Sequence, residues 1–375
     1  MKLWTYASSK AGLIQAYQFG IRHIILEHPS FSVRCFEHSQ NLPLSYLTDL
    51  IKEAQEMGFK ISIQCDMVMH DHHLPLLYGL IEILKIHPGC SLRLQDIGAM
   101  TFFKAQIPDL KIIFQPDIGF HNHLSFKSLI PFISGIVIGN ECPIDTIKIM
   151  QRNLNIDMEI QLQGLILLQY SYRQYSGDQV LYSLAQDKDY KGRYFQFLNN
   201  QHGHFMFSYF DRCLLKAIPE IKELRLSSGL LDVRGQIKAY QDAVYDVYTT
   251  AFQEDNPDLS ALFLKLSKVS PRPLKPGFFR ANQTDQDRRK RQAKDPVAQI
   301  LDTQDKHEIV LECFEVLKKG ELLEAITPEG KVIPVLIEDM TNLKGEQLVD
   351  SQHERLICLP WQKWLKAKVY LYPSS

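Results

Sequence analysis

The apolar residues of the first 165 positions form short runs that alternate with segments of helical periodicity. Short runs rich in Ile, Leu and Val, separated by helical segments, are typical of the buried strands of a parallel sheet. The predicted strands are Leu3–Tyr6, His23–Leu26, Lys60–Cys65, Ser91–Leu94, Lys111–Phe114, Gly135–Ile138 and Asp157–Leu162.

The segment Leu44–Met57 shows the helical pattern clearly. Its apolar residues recur at helical spacing and share one face, and Gly58 follows at the position where a left-handed cap favours glycine. Repeated βα units favour a parallel sheet, and about seven units without a break favour an α/β fold of the TIM-like (β/α) barrel type. A doubly wound α/β sheet is the alternative.

The pattern changes after Gln174. Helical periodicity returns at Cys213–Leu224 and Gln236–Phe252, which predicts a helical extension of the barrel. A Pro-rich stretch and a charged run follow, and then alternating apolar positions with turns. We therefore predict a barrel domain over residues 1–280, a solvated linker over 281–306 and a small C-terminal β-barrel over 307–375.

Composition narrows the class of protein. Apolar residues make up 45% and charged residues 23% of the chain, and the net charge is −1, so a large core can be buried and no overall field attracts nucleic acid. The N-terminus lacks the apolar core of a signal peptide, and no long apolar window predicts a membrane span. Seven cysteines without a Cys-x-x-Cys pair argue against a disulfide framework and a zinc ribbon. We expect a cytoplasmic protein without a membrane partner.

The segment QLQGLILLQYSYRQ, residues 161–174, carries the most informative motif. It resembles the signature of the collagenase-like peptidase family U32, in which a His-Gly-Ala-Leu-Cys stretch leads into Tyr-Ser-Gly and a second Cys. The Tyr-Ser pair is present as Tyr170-Ser171. However, Gln163 stands at the histidine position, and Leu167 and Gln174 stand at the two cysteine positions.

Further short matches follow in the order and spacing of the same family. Gln95-Asp96-Ile97-Gly98 is similar to its Gln-Asp-Leu-Gly. Glu141 ends an element that resembles Ala-Arg-Glu, with Asn140 at the arginine position, and Asp211–Leu215 resembles Asp-Leu-Cys-Leu, with Arg212 at its first leucine. The remaining pieces are Gly20, Phe31-Ser32 with Arg34, Met69-His70-Asp71, Asn122, Arg272-Pro273, Gly277-Phe278, Gly320-Glu321-Leu322 and Thr327-Pro328-Glu329-Gly330.

The longer family members, which carry the C-terminal domain, are similar to a bacterial tRNA wobble-uridine hydroxylation protein. The resemblance therefore implies oxygen insertion at an iron–sulfur cluster held by cysteines. In this chain Tyr194 and Leu198 stand at the second pair of cysteine positions, and only Cys213 keeps a family cysteine. Because such clusters are normally held by about four thiolates, we expect no cofactor and no bound metal here.

Polar residues that follow predicted strands are the candidate catalytic groups, since the carboxyl ends of barrel strands form the active face. We predict acid or base roles for Gln95, Asp96 and Glu141, with capping and salt bridges as the alternative. His70 is a further candidate, in a loop that can bind a metal ion or simply cap a helix. The potential ligands near His70 are Asp66, Asp71, His72 and His73.

The same resemblance predicts the substrate-binding residues Arg34, Asn122, Gln163, Tyr170 and Ser171. Two features bear on RNA as a partner. The run of Arg288, Arg289, Lys290, Arg291 and Lys294 can contact phosphates, although its flanking acids favour a solvated linker. Tyr190, Tyr194, Phe195 and Phe197 can stack on bases, or they can fill the volume that a cluster would occupy, which we favour.

Three functions remain open. The first is RNA hydroxylation by a diverged protein that lacks its own cluster and acts with a cluster-bearing paralogue; tRNA or another RNA is then the partner. The second is a binding or scaffold module without catalysis. The third is the peptidase that the family name implies, although the sequence has neither a Gly-x-Ser-x-Gly elbow nor a His-Glu-x-x-His helix.

Overall fold

The computed structural model describes residues 1–35, 42–173, 182–186, 194–280, 296–303, 307–326, 332–352, 354–362, 365 and 369–374. The chain divides into two compact units, Met1–Ala281 and Asn282–Ser375. None of the described helices combines the length and hydropathy that a membrane crossing requires.

Parallel strands in the first unit close into a barrel. Eight of them pair in the order β11-β1-β2-β3-β4-β5-β6-β7, and β11 also pairs with β7, which closes the ring. The strands of this unit are β1 (Lys2–Ala7), β2 (His23–Leu26), β3 (Lys60–Cys65), β4 (Ser91–Leu94), β5 (Ile112–Phe114), β6 (Gly135–Ile138), β7 (Asp157–Ser171), β8 (Tyr182–Gln186), β9 (Tyr194–Asn200), β10 (Gly203–Cys213), β11 (Ser228–Asp232) and β12 (Leu274–Lys275).

The TIM-like barrel prediction is confirmed, and the doubly wound alternative is excluded by the closure. All seven predicted strands lie within one residue of observed strands, except that β7 continues nine residues beyond its predicted end at Leu162. The eighth strand, β11, was missed because it lies inside the region that we assigned to a helical extension.

Helices surround the barrel and cover its outer face. They are α1 (Lys10–Gln18), α2 (Leu44–Glu56), α3 (Leu74–Ile86), α4 (Ile97–Gln106), α5 (His123–Lys127), α6 (Ile144–Asn153), α7 (Ile218–Glu223), α8 (Lys238–Gln253) and α9 (Leu259–Val269). As predicted, α2 buries Leu47, Leu50, Ile51 and Ala54 on one face and is followed by Gly58 at φ +78°. The main core lies between these helices and the strands.

The C-terminal part of β7 continues beyond the barrel and forms an antiparallel sheet, which we call the extension sheet. It consists of β8, β9, β10 and the last residues of β7, in the order β7-β10-β9-β8. Gly164 allows this departure: it has φ +125°, and a Cβ atom there would lie 2.2 Å from the carbonyl oxygen of Asp232. Only glycine therefore lets β7 leave the barrel while it stays paired with β11.

The second unit is an antiparallel half-barrel with its own core. Its strands are β13 (Ala298–Asp302), β14 (Glu308–Cys313), β15 (Leu322–Ile326), β16 (Val332–Leu336), β17 (Met340–Thr341), β18 (Gln347–Leu348), β19 (Leu356–Pro360) and β20 (Tyr370–Pro373), in the order β16-β15-β20-β13-β14-β19-β17-β18.

The linker prediction extends too far toward the C-terminus. Strand β13 lies inside the range 281–306, and its alternate residues Ala298 and Ile300 are fully buried in the core of the second unit. Two alternating apolar residues are too few to stand out beside a charged run. The basic residues 288–294 lie outside the described part of the chain.

Candidate functional site

Four polar residues converge at the carboxyl end of the barrel, and we call them the Arg34 cluster. Arg34 Nη2 donates to Asp117 Oδ1 at 2.7 Å and lies 3.7 Å from Asp66 Oδ2. Gln95 braces both acids: its Nε2 donates to the carbonyl oxygen of Asp66 at 2.5 Å, and its Oε1 accepts from the backbone N–H of Asp117 at 3.3 Å. Burial raises the pKa of Asp117, although Arg34 opposes the shift.

A second ionic group, the Arg234 cluster, lies beside the first. Arg234 donates to both carboxylate oxygens of Asp232, at 2.8 and 2.6 Å, and to Glu27 Oε1 at 2.7 Å. Its guanidinium lies 3.6 Å above the ring centre of Tyr6. Burial raises the pKa of Glu27, whereas Arg234 outweighs burial and lowers the pKa of Asp232. The pKa values of Glu27 and Asp232 are therefore shifted in opposite directions within one cluster.

A cavity of about 80 Å³ lies between residues of both clusters. Its polar wall includes Arg34, Gln115, Asp117, Asn140, Glu141, Gln161 and Asp232, and its apolar wall includes Ile118, Leu167, Leu168 and Leu230. Carboxylates and a guanidinium around such a cavity can orient a polar ligand and exchange protons with it. The site also occupies the end of the barrel where the chemistry of TIM-like enzymes is found.

A buried arginine supports the cavity wall through hydrogen bonds to Asn140. Arg212 is fully buried, and its Nη1 donates to Asn140 Oδ1 at 2.5 Å and to the Asn140 carbonyl at 3.3 Å. Asn140 in turn donates to Gln161 Oε1 at 3.0 Å. Arg212 Nε and Nη2 have no hydrogen-bond partner among the described residues, and burial lowers the pKa of Arg212 to about 10. The chain therefore keeps an uncompensated cation behind Asn140.

The structure separates the predicted catalytic residues. Gln95 lies in the Arg34 cluster, whereas its neighbour Asp96 points the other way and caps α4, accepting from Ala99 N at 2.7 Å and from Met69 N at 2.9 Å. Glu141 lines the rim of the cavity but is exposed, with His121 Nε2 at 3.4 Å. Asp96 thus has the capping role that was the alternative to catalysis.

His70 does not join these groups. It is exposed at the start of the short 3₁₀ helix Asp71–His73, with the rings of His72 and Tyr172 at 5.6 and 5.1 Å. Among the described residues, no group of three or more His, Cys, Asp or Glu side chains is arranged to hold a metal ion.

The predicted substrate-binding residues occupy different places. Arg34 lies in the cluster that carries its name. Asn122 is exposed and caps α5, accepting from Ser125 N at 3.0 Å. Gln163 is fully buried away from the residues that line the cavity; it donates to Tyr240 Oη at 2.7 Å and accepts from Tyr248 Oη at 3.1 Å.

Tyr170 and Ser171 belong to the extension sheet. Tyr170 stacks on Phe205, with 4.8 Å between ring centres, and donates to the carbonyl of His202 at 2.9 Å. Ser171 pairs with His204, and its Oγ accepts from Arg173 N at 3.1 Å. Both residues order the sheet above the barrel.

The positions of the family's cysteines do not fit a cluster. Leu198 is buried with Val33, Met67, Leu165, Phe205 and Phe207, and Leu167 packs against the same apolar group. Tyr194 is 48% exposed, and Gln174 lies outside the described residues. Cys213 is buried against Tyr248, and burial raises its pKa. Among the described side chains at these positions Cys213 alone carries sulfur, and one thiol is too few for a cluster that normally needs about four. No chemical step is therefore assigned to an iron–sulfur group in this chain.

The prediction that the nearby aromatic residues fill this volume is wrong for the described ones. Phe195 and Phe197 alternate with buried Gln196 and Leu198 and therefore lie on the opposite face of β9. Tyr194 is exposed, and Tyr190 lies outside the described residues. Aliphatic side chains and the rings of Phe205 and Phe207 fill the volume instead.

Several residues of the site were missed from the sequence. The sequence does not predict a site role for Asp117, Glu27, Asp232 or Arg234, and it predicts Asp66 only as a potential metal ligand. Asp66 and Asp117 follow β3 and β5 closely, so the rule that selected Gln95 applied to them as well. Asp232 and Arg234 depend on β11, the strand that was not predicted.

His202 makes the attachment of the extension sheet sensitive to pH. Its Nε2 donates to the carbonyl of Pro29 at 2.6 Å, and burial lowers its pKa. A histidine with a lowered pKa stabilises the fold above its unfolded value of about 6.5, and this contribution is lost as the pH falls through the folded value. Urea denaturation of the wild type should therefore show a loss of stability between pH 7 and 5 that His202→Gln reduces. Exposed His72→Gln is the control, and an unchanged pH dependence in His202→Gln would contradict the assignment.

One comparison with known proteins identifies the family. The profile of peptidase family U32 matches residues 8–289. No functionally curated protein matches the chain. Among solved structures, the C-terminal domain of a protein described as a U32 peptidase from Geobacillus thermoleovorans is 14% identical, with a TM-score of 0.20, over 21% of this chain and 99% of that domain. Tryptophan synthase from M. tuberculosis is 9% identical, with a TM-score of 0.39, over 74% of this chain and 92% of its own. Because the family profile covers most of the sequence, the chain belongs to peptidase family U32.

Proposed function

We propose that this U32 protein takes part in the hydroxylation of uridine in RNA as a subunit that has no iron–sulfur cluster of its own. One observation carries the proposal: a polar cavity lies at the barrel mouth, whereas Leu167 and Leu198, at two cluster-ligand positions of the family, pack in an apolar group beside it. Such a protein can hold a substrate but needs its oxidising centre from another chain. We assign that centre to a cluster-bearing paralogue.

In this proposal the Arg34 cluster binds the substrate. Arg34 is about nine-tenths buried and held by Asp117, so its guanidinium is fixed before a ligand arrives, which lowers the entropic cost of binding. Asp117 faces the cavity with a raised pKa and can donate or accept a proton at the ligand. Gln95 holds the backbone of both acidic residues in place. Glu141 remains a candidate at the rim.

A binding or scaffold module is the second candidate. It is favoured by the Arg234 cluster, in which Glu27 and Asp232 already accept three hydrogen bonds from Arg234. Ionic groups that satisfy one another in this way also serve only to hold a fold together. The peptidase alternative rests on the family name alone.

The proposal is tested by mass spectrometry of tRNA nucleosides from a deletion strain. We expect 5-hydroxyuridine derivatives to fall and to return when the wild-type gene is restored. Asp117→Asn, which keeps the shape of the side chain but removes its charge, should fail to restore them. Asp49→Asn is the control, because Asp49 is 73% exposed on α2.

Unchanged nucleosides in the deletion strain would contradict the proposal. Restoration by both variants would instead favour a scaffold, because the cavity would then have no role. Iron and acid-labile sulfide in the anaerobically purified chain would show that it does hold a cluster.

A further inference from the structure

The extension sheet has two unlike faces. Its inner face carries Leu198, Phe205 and Phe207, which pack over the barrel. On its outer face, Phe197 pairs with Met206, and Phe195 lies two residues away on the same side of β9. Each of these three outer side chains is partly exposed. The aromatic rings of the outer face are therefore partly exposed to solvent, whereas the side chains of the inner face are buried in an apolar core.

The rings of the outer face form a connected row. Phe197 lies 5.3 Å from the ring of His204, and Phe195 lies 6.0 Å from the ring of Tyr209. The exposed Lys275 closes the row: its Nζ donates to Tyr209 Oη at 2.6 Å and lies 4.7 Å from the ring centre of Tyr209. We call Phe195, Phe197, His204, Tyr209 and Lys275 the aromatic platform.

The charge of this region restricts what can bind there. Residues 194–210 contain no Asp, Glu, Lys or Arg, although charged residues make up 23% of the chain. The next acid, Asp211, is buried and paired with Arg272 at 2.7 Å. The polar neighbours are amides, such as Gln169, which pairs with Met206. The described platform thus offers ring faces, amide groups and one cation, without an acid that would repel a phosphate.

We propose that the aromatic platform binds single-stranded RNA. Bases stack on exposed rings whatever their sequence, and a nearby cation attracts the phosphates between them. In RNA-recognition motifs, the aromatic residues of a four-stranded sheet stack about two or three bases. Among the described residues Lys275 is the one cation of the platform, which is fewer than an acidic protein would need. A purely apolar partner would gain nothing from the amides and the imidazole.

The platform also lies next to the barrel mouth. Asn200, the last residue of β9, donates from Nδ2 to the carbonyl of Val33 at 2.7 Å, and Arg34 follows directly. The end of β9 is therefore anchored beside the loop that carries Arg34, while the rings lie on the opposite face of the sheet. This inference rests on the proposed function for its choice of RNA, and it identifies a surface outside the cavity that would hold another part of the RNA chain.

Fluorescence anisotropy of a labelled eight-nucleotide single strand of uridines tests the proposal on the full-length protein. Loss of one stacked base weakens RNA binding by about 5- to 150-fold, so we expect a rise of Kd in this range for Phe195→Ala and Phe197→Ala. Phe197→Leu keeps an apolar side chain without the ring and should also weaken binding, which separates stacking from a folding defect. Tyr78→Ala is the matched control, since Tyr78 is 58% exposed on α3, and it should leave Kd unchanged.

Two further readings decide the outcome. Lys275→Gln should reduce the dependence of log K on log salt by about 0.7, the value for one phosphate contact with a single strand. Equal Kd values for the wild type, Phe197→Leu and Phe195→Ala would overturn the platform, and so would equal binding of a duplex of the same length. If the deletion strain loses its hydroxylated nucleosides while these variants bind normally, the platform is wrong and the proposed function stands. If the variants lose binding while the nucleosides are unchanged, the platform stands and the proposed function is wrong.

Discussion

Replacing Glu159 by leucine should lower the free energy of unfolding of the barrel by about 3–5 kcal/mol. Glu159 is buried inside the barrel, where its two carboxylate oxygens accept from Arg93 at 2.6 and 2.9 Å. It also accepts from Ser228 Oγ at 2.8 Å. Without Glu159, the partners that the described residues leave to the fully buried Arg93 are Gln115, through a hydrogen bond, and the ring of Trp4 at 5.0 Å. A buried cation without its counter-ion explains the size of the expected loss.

The double variant Arg93→Met with Glu159→Leu should recover most of this stability. Replacing a whole buried ion pair by apolar side chains removes the desolvation cost of both charges. Removing one partner leaves the other charge buried without a counter-ion, so its desolvation cost is no longer offset. Urea denaturation followed by circular dichroism measures both values. The exposed pair Glu82 and Lys85 on α3 is the control, and Glu82→Leu should change stability by no more than about 0.5 kcal/mol. If Glu159→Leu unfolded at the same urea concentration as the wild type, the pair would contribute nothing to the barrel.

The barrel was predictable because its signals are local. Each strand of the repeated βα units is a short apolar run, and each helix buries a face that recurs at helical spacing, as in α2. Strand β11 has the sequence SGLLD, which is short and begins with small residues, and a run of this kind does not stand out beside a helix. The extension sheet depends on Gly164, where a side chain would collide with Asp232, a residue 68 positions away.

Apart from the family resemblance, the sequence predicts only those site residues that closely follow a predicted strand. Gln95 and Asp96 were chosen together, but successive residues at a strand end point in different directions, so one joins the Arg34 cluster and the other caps α4. The Arg234 cluster joins Glu27 to Arg234 across 207 positions. Nothing near either residue in the sequence indicates its partner. Resemblance to the family placed Gln163 in the site, whereas two tyrosines of α8 bind it on the outside of the barrel.

Exchanging the residues at positions 140 and 212 should reveal that they depend on each other. In the family pattern that the sequence resembles, an arginine stands at 140 and a leucine at 212; this chain has Asn140 and Arg212. The structure brings the two positions into contact, since Arg212 donates to Asn140 Oδ1 at 2.5 Å. Arg212 thus places a guanidinium beside position 140, from β10 instead of from the loop after β6.

Three variants measure this dependence by their free energies of unfolding. Asn140→Arg alone should cost about 3 kcal/mol, because it places a second guanidinium against a buried one that already lacks a carboxylate partner. Arg212→Leu alone should change stability by about 1 kcal/mol or less, since the lost hydrogen bonds are offset by the removal of an uncompensated buried cation. In the double variant one guanidinium is left, as in the family pattern, so it should be more stable than Asn140→Arg by about 2 kcal/mol.

The coupling energy of the cycle is the decisive quantity. Residues in contact commonly couple by about 0.5–3 kcal/mol, whereas distant pairs add to within about 0.5 kcal/mol. Asn155→Arg combined with Arg212→Leu is the control, because Asn155 is exposed and precedes β7, whereas Arg212 contacts the loop after β6. Additive effects for both pairs would mean that Arg212 was acquired independently of Asn140. A coupling confined to positions 140 and 212 would mean that this chain still retains a cation behind the wall of its cavity. It would do so although Cys213 is its one cysteine at the aligned cluster positions. Retention of that charge is expected of a protein that still binds a ligand there.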